Sequence, residues 1–127
     1  MPAPVLPLVV EADDGLHVFA SVAALLGYVE AIDVAEGVYT AYDAFGRRLP
    51  LAVEAAPYRA LFGLVRGVGE VVVVGPPEDA PEHAGRLRQL LVETLDRLGV
   101  RHPGRGAPLD ALVTALLGRV GFTGGRS

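Results

Sequence analysis

Two aspartate–glycine turns, each set between short apolar runs, constrain this chain more than any other feature. The first is Asp13-Asp14-Gly15, between Leu6–Glu11 and Leu16–Ala20. Glycine supplies a positive φ and aspartate tolerates the left-handed region, so Asp-Gly between apolar runs predicts a β-hairpin over 6–20. The second is Asp43-Ala44-Phe45-Gly46, with Asp at the first turn position and Gly at the fourth, the type I preference. It joins Val38–Tyr42 to Arg48–Glu54, where Leu49, Leu51 and Val53 repeat with period two. Pro50 lacks an N–H, which places this strand at an edge or turns the proline to an unpaired side. Two hairpins require mostly antiparallel pairing.

Helical spacing fills the intervals. Ser21 is a good N-cap, and Val22, Leu25, Leu26, Val29 and Ile32 share one face of a helix over 22–31. Pro57, Tyr58, Leu61, Phe62 and Val65 predict a short helix over 57–66, or a loop. Glu70–Val74 contains four consecutive valines and reads as a strand covered on both faces. From Pro81, the stripe Ala84, Leu87, Leu90, Leu91, Thr94, Leu95 and Leu98 marks a long helix that Gly99 ends. Pro108 precedes a last amphipathic helix over Leu109–Val120. The expected fold is α+β: a mostly antiparallel sheet from two hairpins plus one further strand, with three to four helices on one face. At 127 residues it is expected to form one domain, with 1–4 and 122–127 flexible.

Composition narrows the function. The chain has no Cys, which removes disulfides, thiolate metal ligands and a cysteine nucleophile. Ser21 is accounted for as a cap, Ser127 lies in the tail, and no G-x-S-x-G elbow, Walker loop or dinucleotide fingerprint occurs. His17, His83 and His102 are scattered, and His17 alternates outward between Leu16 and Val18. No catalytic residue, metal site or cofactor is expected. All eleven basic residues are Arg, which with abundant Ala, Gly, Val and Pro fits the codon usage of a GC-rich genome. Glu82, Glu93 and Asp96 interleave with the arginines of the long helix, and Glu82/Arg86 and Glu93/Arg97 are i, i+4 pairs, against nucleic-acid binding. Nothing resembles a signal peptide, and no apolar stretch approaches the ~20 residues of a membrane helix, so a cytoplasmic protein is expected.

The charge is unevenly placed. Residues 1–57 hold eight acids against two Arg, a net of −6, and residues 58–127 hold seven against nine, a net of +2. Tyr28, Tyr39, Tyr42, Phe45 and Tyr58 concentrate around the acidic half, and tyrosine is favoured at interface centres. Asp13, Asp14, Asp33, Glu36, Tyr39, Tyr42 and Asp43 are therefore the candidate partner-binding residues.

Three segments carry a resemblance: Val10–Val22, Tyr28–Val34 and Gly37–Arg47, the last containing Tyr42-Asp43-Ala44-Phe45-Gly46-Arg47. With the later Glu78-Asp79-Ala80-Pro81-Glu82-His83 lead into a helix, they resemble small bacterial immunity proteins of polymorphic or contact-dependent toxin systems. The resemblance covers roughly 9–54 and 70–98 and rests on turn and cap residues. The Gly-rich stretch at 57–69 and the extra C-terminal helix depart from it. It implies a non-catalytic inhibitor whose protein partner is a toxin. Two other readings stand beside it. One is a structural or regulatory module, such as a homodimer, that self-associates through the edge near Pro50 or the last helix. The other is a small-ligand-binding protein or enzyme without a motif.

Overall fold

A computed structural model describes residues 3–55 and 69–123. The first hairpin forms as expected: β1 (Leu8–Ala12) pairs antiparallel with β2 (Gly15–Phe19), and Ala12 stands opposite Gly15 across the Asp13-Asp14 turn. Gly15 takes φ +122°, which a side chain would strain. Ser21 caps α1 (Val22–Tyr28), its Oγ accepting the Ala24 N–H at 3.0 Å.

The helix expected over 22–31 breaks. Val29 is extended (φ −77°, ψ 145°), and the chain restarts as α2 (Ala31–Ala35). Gly27 costs the helix about 1 kcal/mol relative to Ala, and a helix this short cannot hold itself without packing. Leaving the helix, Val29 stays in the core, and α2 turns to meet the next strands.

β3 (Thr40–Tyr42) and β4 (Arg48–Leu49) form the second hairpin, with Ala41 opposite Leu49 and Tyr42 opposite Arg48. The expected strand Arg48–Glu54 is split at Pro50. Beyond it, β5 (Leu51–Ala55) leaves to pair antiparallel with β6 (Gly69–Val73) in a second sheet. Proline removes the ladder donor at the point where the chain changes sheets. The β4 edge is closed by the chain itself: Arg48 N–H donates to Glu78 O at 2.9 Å and Glu78 N–H to Arg48 O at 2.7 Å. That covers the edge near Pro50 assigned to self-association. In β6, Val71 and Val73 pack inward, Val72 is half-buried and the following Val74 is 55 % exposed, so the valine run is not covered on both faces. The helix or loop expected over 57–66 lies outside the described residues.

α3 (Pro81–Arg97) and α4 (Leu109–Val120) match the periodicity, and Gly99 at φ +71° ends the long helix. The main sheet runs β2-β1-β3-β4. Its side chains alternate between two cores. Val9, Val18 and Tyr42 pack with Leu87, Leu91 and Leu95 of α3 and Leu112, Val113 and Leu116 of α4. Leu8, Val10, Phe19, Ala41 and Leu49 pack on the other face with Leu25 of α1, Val29, and Val71 and Val73 of β6. The fold is α+β with four helices, but these are divided between the two sheet faces. The divergence follows from period two: both faces of β1 are apolar, so both need a cover. Among the described residues no helix is long and apolar enough to cross a membrane.

Candidate functional site

Four acidic residues of the N-terminal half, Glu11, Asp13, Asp14 and Glu36, gather at one end of the main sheet. Asp13 and Asp14 project from the β1–β2 turn, and Glu36 lies just past α2; all three are exposed. Asp13 and Glu36 line one groove of about 430 Å³ together with Glu11, Gly37 and Thr40. On the other flank of Asp13 a groove of about 390 Å³ is walled by Asp14, Leu16 and, from α3, Glu93 and Arg97. Glu11 lines both, although it is absent from the set read in the sequence. The signal was available: two positions after Val9, it shares the strand face that meets α3. There it pairs with Arg86, Nη2 to Oε2 at 3.0 Å.

Asp33 and Tyr39 line neither groove and are both half-buried, Tyr39 packing on the core that holds Leu25 and Val29. The Tyr39 hydroxyl donates to Asp33 Oδ2 over 3.5 Å, a long bond. Burial pushes the Tyr39 phenol up from its ordinary value, and the Asp33 charge adds to it. Asp14 meets His17 Nε2 at 2.8 Å, and that hydrogen bond holds its carboxyl below the usual aspartate value. Such exposed pairs contribute about 0–1 kcal/mol, so the surface keeps its negative character without being locked.

Two of the expected contact residues are internal. Tyr42 is 3 % exposed and points into the core against α3, where burial, then the Glu11 charge, raises its phenol. Asp43 is 0 % exposed. Its Oδ1 accepts the N–H groups of Phe45 and Arg47, each at 3.0 Å, and its Oδ2 accepts Val5 N–H at 3.1 Å and Arg47 Nε at 2.9 Å. Arg47 Nη2 completes the pair at 2.7 Å. A carboxylate engaged on both oxygens has nothing left for a partner. Alternation places Tyr42 correctly only once the inner face of the hairpin is known, and the turn pattern around Asp43 does not reveal that Val5 folds across it.

His17 also departs from expectation. It is half-buried, its ring against Phe19 and Tyr28 with centroids at 6.5 and 5.4 Å. Nδ1 lies 3.0 Å from Thr123 Oγ1 and Nε2 faces Asp14. Hydroxyl, imidazole and carboxylate thus stand in line, the ingredients of a nucleophilic triad. Neither of the two grooves described above has His17 or Thr123 in its walls. Its evident work is to hold the tail: Thr123 N–H also donates to Val18 O at 2.7 Å. Thr123, expected to fray, is fixed at the sheet edge. At the other end Arg47 Nη2 donates to Ala3 O at 3.2 Å, so residue 3 is tied down too.

At the far end of the sheet an apolar cleft of about 540 Å³ lies between Val5, Leu6, Phe45, Pro108, Leu109 and Val113. Leu6 and Phe45 are both exposed at its rim. Among the described residues no three His, Cys, Asp or Glu side chains converge as metal ligands would. No protein-family model matches the chain, and neither the curated proteins nor the solved structures offer a match.

Proposed function

We propose that the chain is a non-catalytic immunity or inhibitor protein that binds a basic toxin through the acidic end of its main sheet. The observation that carries this reading is the joint presentation of Asp13 and Glu36 in one groove with Glu11, and of Asp14 in the groove on the other flank of Asp13. These residues come from separate elements, and the fold collects them on a surface that no described arginine neutralises beyond the Arg86–Glu11 pair and the neighbouring Arg97. A negative surface raises the encounter rate with a positive partner, and this effect fades with salt. Toxins acting on nucleic acid or nucleotides carry basic sites of that kind. Tyr39, half-buried next to Thr40 of the groove, supplies the aromatic contact; Tyr42 and Asp43 are internal and take no part in it.

The reading predicts a toxin gene beside this chain's gene, and the test is co-expression with that toxin. Wild-type protein restores growth, and the double reversal Asp13→Arg/Glu36→Arg removes protection while its melting temperature stays within a few degrees. Full protection by the reversed variant overturns the assignment of the surface.

A further inference from the structure

The outer edge of β2 holds an added segment by a single strand-like contact, where the β4 edge is closed by a reciprocal pair with Glu78. β2 ends the main sheet, with β1 on its inner side. Thr123 N–H reaches Val18 O at 2.7 Å from outside, so the Val18 backbone faces away from β1. Outward groups in an antiparallel strand recur every second residue, so Leu16 presents its N–H and C=O to the same side. Among the described residues Leu16 meets no backbone partner on that edge. An unpaired edge is a template for another strand, which chains ordinarily block. Among the described residues the block is Phe122 and Thr123. Gly121 leaves α4 at φ +73°, and the following Phe122 and Thr123 cross to β2, where the anchors found are the Thr123 N–H and its hydroxyl on His17.

The charge beside this edge selects its occupant. Leu16 walls the same groove as Asp13, Asp14 and Glu93, with Arg97 the only cation among its described walls and Arg86 paired to Glu11 beside it. A second copy would bring a net −4 chain and its own Asp13-Asp14 turn to this edge. An extended segment bearing arginine or lysine at alternate positions would gain ladder hydrogen bonds and meet those carboxylates. We propose that the Leu16–Val18 edge accepts an extended basic segment of the partner protein, and that Thr123 competes for it as an intramolecular strap. This inference rests on the reading of a basic partner and adds the mode of contact.

The probe is a short synthetic peptide alternating arginine and valine, titrated into the full-length protein by amide NMR. Three controls accompany it: the same peptide N-methylated at alternate residues, a glutamate–valine peptide, and the Thr123→Pro variant, which lacks the strap's N–H and hydroxyl. The expected result is binding centred on the Leu16 and Val18 amides, at least tenfold weaker for the N-methylated peptide. Thr123→Pro should bind about three- to tenfold more tightly, the equivalent of freeing one or two modest hydrogen bonds. Equal affinity for the methylated peptide, with shifts at Asp13 and Glu36, overturns the strand edge while leaving the acidic surface intact. Equal affinity for the glutamate peptide overturns the basic partner itself. No binding to either protein, or dimerisation of Thr123→Pro without peptide, also overturns the proposal.

Discussion

Asp13-Asp14-Gly15 and Asp43-Ala44-Phe45-Gly46 are built from the same chemistry, and they do opposite work. In the first, both carboxylates face solvent, and Asp14 reaches only the neighbouring His17. In the second, the carboxylate is sealed, accepting from Val5, Phe45 and Arg47. The difference lies in what crosses the turn. Residues 3–5 run alongside Asp43, with Ala44 N–H donating to Val5 O at 2.8 Å, whereas no such strand crosses Asp13 among the described residues. One turn is a surface, and the other is a clamp joining the N-terminal segment, the second hairpin and Arg47. An aspartate in a turn motif is thus a charge for a partner only where the rest of the fold leaves it uncovered.

The largest effect should come from breaking the clamp. Asp43→Ala leaves Arg47, already largely shielded, without its carboxylate and frees three N–H groups. Removing one partner of a buried ion pair costs about 3–5 kcal/mol. Urea denaturation of Asp43→Ala should show that loss, against a change within about 0.5 kcal/mol for Asp13→Ala, an exposed site. Equal losses at the two positions would erase the distinction between the turns.

The glycines extend the contrast. Gly46 has φ +82°, and a Cβ there would lie 2.8 Å from Ala84 Cα, Ala84 Cβ and Leu109 Cδ1. Gly15 has φ +122° with open space around it. Gly46→Ala therefore meets left-handed strain and a collision with helix backbone, on the order of 2–4 kcal/mol. Gly15→Ala meets the strain alone, about 1–2 kcal/mol. Thermal melts should rank the two in that order; the reverse would mean that the clamp turn does not dock on α3 and α4.

These same turns show how far the residues announce the molecule. Both hairpins, the Ser21 cap, α3 and α4 follow from local spacing and turn chemistry. Gly27, Pro50 and the apolar run of β1 mark the break at Val29, the change of sheet and the two-sided core locally, but which distant segments meet them there, β6 and α3 among them, is not written in those patterns. At the candidate site, Asp13, Asp14 and Glu36 were legible because exposed turn acids need no tertiary information. Tyr42 and Asp43 misled because their neighbours, α3 and Val5, are far along the chain or pass across the turn. Thr123 was silent because its partner His17 is 106 positions away.

The smallest expected effect belongs to the open turn and depends on pH. The His17 hydrogen bond lowers the Asp14 carboxyl pKa in the folded chain, while the unfolded chain keeps the ordinary value near ~3.9. At a pH between those two values the unfolded state binds more protons, so stability rises with pH there. The contribution is complete above the ordinary aspartate value and disappears as pH falls through the lowered one. Asp14→Asn should melt slightly below wild type at neutral pH, and the two curves should converge in acid. Because Asp14 is largely in water, screening keeps the gap small, and added salt should shrink its charge-dependent part further. A gap that persists below the lowered value would mean that Asp14 acts through the shape of the turn. In that case the open turn would be a structural element like the clamp, and its charge would no longer be free for a partner.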